Sequence, residues 1–141
     1  MNLAKKLGAD LVLGKHDDVI ESILSHTNGK GVDNSCEFSG SPTALSNAIH
    51  STRMGGYVNI LSVYGNNLTE VPMNDIVFRY LHVKGINGRK MWTTWDKMHD
   101  LLNTDKIDIN TLVTHRINYQ EYPNGIELTL SGECGKVVMD F

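Results

Sequence analysis

Two kinds of sequence pattern meet at the stretch VKGINGRKMWTTW, residues Val83–Trp95. Short apolar runs alternate with helical patterns before it, and a longer helical pattern follows it. Within the stretch a strand ends, two glycines frame a turn, and Thr93 or Thr94 is placed to cap the next helix. We therefore predict a domain boundary here, with residues 1–90 in one domain and residues 91–141 in a second.

Outward from this stretch, predicted strands and helices alternate along the chain. The strands are predicted at residues 11–13, 32–38, 57–63, 80–86, 113–117 and 136–141. The helices are predicted at residues 3–7, after a cap at Asp17 or Asp18, from Pro42 with Ser41 as its cap, from Asn74, from Trp95, and at 122–130 with Gly132 as the C-cap. Strands that alternate with helices indicate parallel βαβ units, so the predicted fold class is α/β, with residues 80–86 as an edge or near-edge strand.

Composition and charge exclude several functional classes. The chain has 141 residues, a net charge of −3 and two cysteines. This charge gives no basic field for nucleic acid, and no run of 18 or more apolar residues is present that could span a bilayer. The N-terminal residues lack the apolar core of a secretory signal, and two distant cysteines do not form a disulfide framework. We expect a cytoplasmic protein that binds neither nucleic acid nor membrane.

Four predicted strand ends carry small or polar residues that could contact a ligand. In an open parallel sheet, ligands bind outside the carboxyl ends of the strands. The four ends are residues 14–16, 38–41, 61–65 and 85–89. The alternative is that these glycines and serines only form turns, and the pattern alone does not decide between the two interpretations.

A few other side chains are candidates for chemistry. Cys36 is predicted to be a small core residue, with a reactive thiol as the alternative. Glu37 lies beside a strand end, where it either faces solvent or reaches a structural or substrate-side partner. Arg89 is a candidate for holding an anionic group or is a surface arginine. The histidines show no metal-binding spacing, and His115 is the least ordinary of them because Thr114 and Arg116 flank it in a predicted strand.

The order of several segments resembles the cofactor domain of the zinc-containing medium-chain alcohol dehydrogenases. These segments are residues 3–10 (LAKKLGAD), 29–33 (GKGVD), 36–40 (CEFSG) and 55–58 (GGYV). In the second half, residues 84–91 (KGINGRKM), 112–116 (LVTHR) and 131–138 (SGECGKVV) resemble more narrowly the L-threonine 3-dehydrogenase branch of that family. The resemblance covers essentially the whole chain in order.

This resemblance implies a fold, a reaction and a set of site residues. It implies a partial Rossmann-type parallel sheet lacking its first strand in residues 1–90, and a C-terminal segment of the catalytic (GroES-like) domain in residues 91–141. The reaction would be the NAD-dependent oxidation of L-threonine to 2-amino-3-oxobutanoate, with zinc as the second cofactor. The implied cofactor-binding residues are Leu61, Ser62, Val63, Ile86 and Asn87. No catalytic residue and no metal ligand are assigned within this chain.

The resemblance also predicts what this chain lacks. The glycine-rich phosphate turn, the ribose-binding acid and the zinc ligands of the family would all precede residue 1. Ser62 replaces a usual glycine, and Asn87 replaces a usual aromatic residue or threonine. We expect the chain alone to bind NAD weakly and to be inactive, and in the full enzyme we expect a homo-oligomer. The alternatives are a nucleotide-binding or protein-interaction remnant, or a portion of another zinc alcohol or polyol dehydrogenase.

Overall fold

A computed structural model describes residues 2–14, 16–65, 68–104 and 108–141. The chain forms two compact units, one of Leu13–Gly88 and one of Met1–Val12 with Arg89–Phe141. One boundary between the two units lies between Gly88 and Arg89, inside the stretch Val83–Trp95. The N-terminal segment belongs to the same unit as the C-terminal third, which the sequence patterns do not reveal.

The helices and strands follow each other as an α/β pattern. The helices are α1 (Asn2–Lys6), α2 (Val19–His26), α3 (Pro42–Ser51), α4 (Met73–Phe78), α5 (Thr93–Leu102) and α6 (Tyr122–Ser131), with short 3-10 helices at Asn110–Leu112 and Tyr119–Glu121. The strands are β1 (Val32–Glu37), β2 (Thr52–Ile60), β3 (His82–Gly85), β4 (Val113–Asn118) and β5 (Lys136–Asp140). The predicted α/β class is therefore confirmed.

The unit Leu13–Gly88 contains a parallel sheet in the order β1-β2-β3. The prediction of an edge or near-edge strand within residues 80–86 is confirmed, because β3 (His82–Gly85) pairs only with β2 among the strands of the described chain. The buried apolar core of this unit consists of Leu45 and Ile49 from α3, Val58 from β2, and Leu81 beside β3. Helix α3 covers one face of the sheet, because its residues supply half of this core.

The starts of two helices form as their sequences predict. Asp18 caps α2 by accepting a 3.0 Å hydrogen bond from the backbone N–H of Glu21. Ser41 caps α3 by accepting from the N–H of Ala44, with Pro42 at the first helical position. These caps satisfy amide groups that a helix leaves free in its first turn.

Two strand predictions are wrong in a physically informative way. Residues 11–13 are not a strand, and no strand in the part of the chain that the structure describes pairs with them. Apolar residues alone do not make a strand, because its amide groups need a hydrogen-bonded neighbour. Strand β2 begins at Thr52, before Gly55, rather than at Tyr57. The register shifts from Val32 opposite Thr52 to Asn34 opposite Tyr57, so the two glycines lie in a bulge of the strand.

The other unit contains a two-stranded parallel sheet, β4-β5, with α6 against it. Gly125 of α6 is buried, and an added Cβ there would lie 2.8 Å from the Ile117 side chain and 3.3 Å from that of Met139. Helix α6 ends at Ser131, and its C-cap is Gly132, as the sequence predicts, with a left-handed φ of 72°.

Helix α5 begins differently from its sequence prediction. Thr93 and Thr94 are the first helical residues, and Trp92 occupies the cap position with a left-handed φ of 64° and no side-chain hydrogen bond. The Thr94 hydroxyl instead donates to the Lys90 carbonyl at 2.8 Å. Among the helices described, none has the length and hydropathy needed to cross a bilayer.

Candidate functional site

The carboxyl ends of β1, β2 and β3 lie along one edge of the sheet. The strands are parallel, and backbone hydrogen bonds continue the pairing one residue beyond them. The N–H of Leu61 donates to the Glu37 carbonyl at 3.0 Å, and the N–H of Ile86 donates to the Ile60 carbonyl at 2.8 Å. The segments that follow β2 and β3 therefore start side by side at this edge, which is where parallel sheets bind ligands.

The five residues predicted to contact a cofactor belong to these two segments. Leu61 and Val63 are 41% and 90% exposed. Ser62 and Ile86 are half-buried, and Asn87 is exposed. The fold thus brings the two predicted groups to one edge and leaves part of both accessible, and their role in cofactor binding stays a prediction.

At the end of β1, on this edge, lies the side chain of Glu37, which is 3% exposed. Its Oε1 accepts from the backbone N–H and the hydroxyl of Ser39, both at 2.6 Å, and from the N–H of Gly40 at 3.0 Å. Its Oε2 accepts from the Tyr64 hydroxyl at 2.8 Å and from the Ser62 hydroxyl. The buried carboxylate is therefore surrounded by donors from two separate strand ends.

These donors decide the protonation state of the carboxylate. Burial raises the pKa of Glu37, but the hydrogen bonds from Ser39, Ser62 and Tyr64 outweigh it and lower the pKa from 4.5 to about 2. Burial and the neighbouring carboxylate raise the pKa of the Tyr64 hydroxyl. Glu37 is consequently an anion at neutral pH, and so weak a base is unsuited to removing a proton from a substrate.

The turn after β1 and the segment after β2 are also packed directly together. Gly40 has a left-handed φ of 72°, and an added Cβ there would lie 2.7 Å from the Val63 carbonyl oxygen. Only glycine fits both the conformation and the close backbone approach. The contact between the two segments is therefore one of backbone against backbone, with the Glu37 carboxylate beside it.

The sequence prediction for Cys36 is wrong, because Cys36 is exposed while its neighbours Ser35 and Glu37 are buried. Successive strand residues face opposite sides of a sheet, and Ser35 faces α3, where its hydroxyl donates to the Ala48 carbonyl at 3.2 Å. Cys36 consequently faces away from α3. For Glu37 the prediction left two possibilities open, and the buried one is correct. The available signal was the concentration of hydroxyl groups at two neighbouring strand ends.

Two other candidates from the sequence lie in the second unit. The Arg89 guanidinium lies 5.2 Å from the centre of the Trp95 ring, an arrangement that favours a cation–π interaction. Both residues line a surface groove of about 530 Å³ along α5. Nδ1 of His115 lies 2.9 Å from the hydroxyl of its neighbour Thr114. Over residues 2–14, 16–65, 68–104 and 108–141, no three histidine, cysteine or acidic side chains come together as a metal site would require.

Known proteins match this chain over nearly its whole length. The profile of the family described as zinc-binding dehydrogenase matches residues 1–104. L-threonine 3-dehydrogenase from Bacillus licheniformis is 39% identical over 140 residues, which is 99% of this chain and 40% of that enzyme. L-threonine 3-dehydrogenase from Pyrococcus furiosus is 37% identical over 139 residues, which is 97% of this chain and 40% of that enzyme.

Solved structures show the same correspondence. The 2R,3R-butanediol dehydrogenase from Bacillus subtilis superimposes with a TM-score of 0.83 at 30% identity, covering 99% of this chain and 40% of that one. An alcohol dehydrogenase from Thermus sp. ATN1 gives a TM-score of 0.84 at 25% identity, with 98% and 40% coverage. The chain thus spans about two-fifths of the length of these relatives.

Proposed function

The chain belongs to the zinc-binding dehydrogenase family, and on this premise we propose that it forms part of an NAD-dependent oxidoreductase acting on a small alcohol. Residues 1–90 would form part of the NAD-binding domain, and residues 91–141 would form part of the catalytic domain. NAD, when bound, would accept a hydride from the substrate alcohol.

The observation that carries this proposal is the edge where β1, β2 and β3 end. Leu61–Val63 and Ile86–Asn87 lie side by side there, and the sheet is parallel. We propose that backbone groups of these two segments contact the nicotinamide half of NAD. An exposed parallel-sheet edge with small and polar residues fits such a flat amide-bearing ring.

For zinc, this chain supplies no comparable observation. The described residues contain no group of three potential ligands, so we propose that metal binding in such an enzyme depends on residues outside them. This chain matches 40% of the length of the Bacillus licheniformis relative, which is consistent with metal ligands elsewhere in such an enzyme. We likewise propose that the enzyme is a cytoplasmic homo-oligomer that pairs through the β3 edge.

L-threonine is the substrate that we propose first, because two L-threonine 3-dehydrogenases are 39% and 37% identical to this chain. A second candidate is a vicinal diol, because the butanediol dehydrogenase from Bacillus subtilis is 30% identical with a TM-score of 0.83. Both candidates are secondary alcohols with a polar substituent on the neighbouring carbon. A direct comparison of the two substrates is therefore needed.

A chimeric enzyme tests the proposal. In it, this chain replaces the matching 40% of the Bacillus licheniformis L-threonine 3-dehydrogenase. We expect NADH to form from NAD and L-threonine, and the unmodified Bacillus licheniformis enzyme is the control. NADH formation from (2R,3R)-butanediol alone would instead support the second candidate.

A chimera that is folded and monodisperse but neither forms NADH from these substrates nor binds NADH would contradict the proposal. Calorimetry with NAD on the isolated chain provides a separate test. We expect weak binding, because phosphate contacts at a glycine-rich helix start are a main part of dinucleotide binding and no such motif occurs in this sequence. Micromolar affinity would show that the chain binds NAD without them.

A further inference from the structure

The two carboxylate oxygens of Glu37 serve two different segments. Oε1 accepts from Ser39 and Gly40 in the turn after β1, and Oε2 accepts from Ser62 and Tyr64 in the segment after β2. Among the described residues, one contact crosses this division, a longer one of 3.4 Å from the Gly40 N–H to Oε2. We propose that Glu37 is a positioning residue, whose carboxylate fixes residues 61–64 in the conformation that a nicotinamide ring requires.

The arrangement of donors favours a role in geometry. A buried charge that is fully hydrogen-bonded contributes little more to stability than an apolar group of the same volume, but it accepts only donors at particular places. Two of the donors, the hydroxyls of Ser62 and Tyr64, lie 25 and 27 residues from Glu37 in the sequence. Without the carboxylate, no other side-chain hydrogen bond in the described residues joins the segment after β2 to the turn after β1.

The position of Ser62 shows how the network leaves the sheet edge accessible. The Ser62 hydroxyl is directed to Glu37, and on either side Leu61 and Val63 are 41% and 90% exposed. The carboxylate thereby holds the Ser62 side chain. The backbone of residues 61–63 stays at the edge where β2 ends.

The network contains a carboxylate and three hydroxyl groups, yet it is not arranged for proton transfer. A pKa of about 2 keeps Glu37 ionised, and Tyr64 is shifted in the opposite direction. Each hydroxyl therefore donates a hydrogen bond to the carboxylate but does not transfer its proton to it. These opposite pKa shifts suit a fixed contact between the turn after β1 and the segment after β2.

This inference rests on the proposed function in one respect, that residues 61–63 contact the nicotinamide. The holding of the segment itself can be measured without any nucleotide. We would record ¹⁵N relaxation on the 141-residue chain with Glu37→Gln, and with Glu133→Gln as a control at an exposed glutamate. Ordered backbone gives an order parameter of about 0.85, and flexible backbone gives less than about 0.6.

We expect Glu37→Gln to lower the order parameters of residues 61–64 toward the flexible range while that of the core residue Val58 stays unchanged. Glu133→Gln should leave both unchanged. Uniform loss of order across β2 would indicate a general stability role and would overturn the proposal, as would an unchanged segment. If Glu37→Gln does not fold, the pair Ser62→Ala with Tyr64→Phe removes the two contacts between Oε2 and the segment after β2, with Tyr57→Phe as its control.

An NADH titration of the same samples, followed by chemical shifts, tests the connection to the site. We expect shifts in residues 61–63 and 86–87 of the wild-type chain, and a dissociation constant at least five-fold higher for Glu37→Gln. A mobile segment with unchanged NADH affinity would overturn the positioning role and leave the proposed function intact. Shifts confined to residues outside 61–63 and 86–87 of the wild-type chain would contradict the proposed contact of these segments with the nicotinamide, while the order parameters would still decide whether Glu37 holds the segment.

Discussion

At the scale of single residues, the chain depends on a charge that is almost completely removed from solvent. Glu37 is 3% exposed and accepts hydrogen bonds from side chains and backbone of four residues, Ser39, Gly40, Ser62 and Tyr64. A buried anion is tolerated only when its hydrogen-bonding capacity is used. The same residue should therefore control how the protein responds to acid.

The first prediction concerns this acid response. The pKa of Glu37 is lower in the folded chain, at about 2, than the ordinary value of 4.5 that applies when the chain is unfolded. The carboxylate therefore stabilises the fold above about pH 4.5, and this contribution is lost as the pH falls toward 2. We expect the difference in unfolding free energy between wild type and Glu37→Gln to shrink by about 3 kcal/mol from pH 6 to pH 2. Urea unfolding at each pH measures it, and a difference that is independent of pH would contradict the prediction.

A second prediction concerns Gly40. Its left-handed φ of 72° and the 2.7 Å approach of the Val63 carbonyl both disfavour a side chain. We expect Gly40→Ala to lower the free energy of unfolding by about 2 kcal/mol or more. Gly65→Ala is the matched control, because an added Cβ there meets nothing within 4 Å. Urea unfolding of both variants should separate them clearly, and equal stabilities would show that the close approach is not required.

Part of this residue-scale structure was predictable from the sequence and part was not. The strand ends at residues 38–41, 61–65 and 85–89 follow from alternation of apolar and turn-forming residues. The burial of Glu37 does not, because its partners Ser62 and Tyr64 are 25 and 27 residues away and no local pattern links them. The prediction that Cys36 lies in the core is wrong for a related reason. A small apolar side chain in a strand is buried only if another element covers its face of the sheet.

At the scale of elements, a single arginine binds the carbonyl groups where α3 ends and β2 begins. The Arg79 guanidinium donates to the carbonyls of Ile49 and His50 at 3.1 Å each, and also to the carbonyl of Thr52. These groups lie at the C-terminal end of α3, where a helix has free carbonyls and a partial negative charge. The bulged start of β2 is tied to the same residue, because the Gly55 N–H donates to the Arg79 carbonyl at 2.9 Å.

The third prediction follows from this contact. Arg79→Lys keeps the charge but cannot reach three carbonyls with a planar fork of donors. We expect it to lower the free energy of unfolding by about 1–2 kcal/mol. Arg53→Lys is the control, because Arg53 pairs with Asp33 at the surface and such pairs contribute less than about 1 kcal/mol. Thermal unfolding followed by circular dichroism distinguishes them, and an equal loss in both variants would argue against the capping role.

Element boundaries were the less predictable part of the fold. The caps Asp18 and Ser41 act locally, so the sequence predicts the starts of α2 and α3 correctly. The start of β2 depends on pairing with β1, because five steps along β2 match two along β1 at the bulge. The start of α5 depends on the left-handed Trp92, a conformation that propensity does not anticipate for a large side chain.

At the scale of the whole molecule, apolar surface is abundant. The buried apolar core that the structure describes consists of Leu45, Ile49, Val58 and Leu81. By contrast Met91, Trp92, Trp95 and Met98 of the second unit are 53–72% exposed. Contiguous apolar surface of this kind promotes association.

The fourth prediction is concentration-dependent self-association through the groove along α5. We expect sedimentation velocity to show oligomers that increase with protein concentration, and Trp95→Gln with Met98→Gln to shift the population toward monomer. Leu130→Gln is the control, because Leu130 is 82% exposed but does not line that groove. If the control reduces association as much as the double variant, the groove is not the contact.

The strand order β1-β2-β3 has a consequence for the newly synthesised chain. Strand β2 carries both pairings of the sheet, and its partner β3 ends at Gly85. Parallel strands need long crossovers, so no hairpin can form early and neither ladder closes locally. On the ribosome, the far edge of β2 must therefore stay unpaired until residues up to Gly85 have left the exit tunnel. Slow translation of the α4 region would lengthen that interval and with it the time in which chaperones must protect the strand.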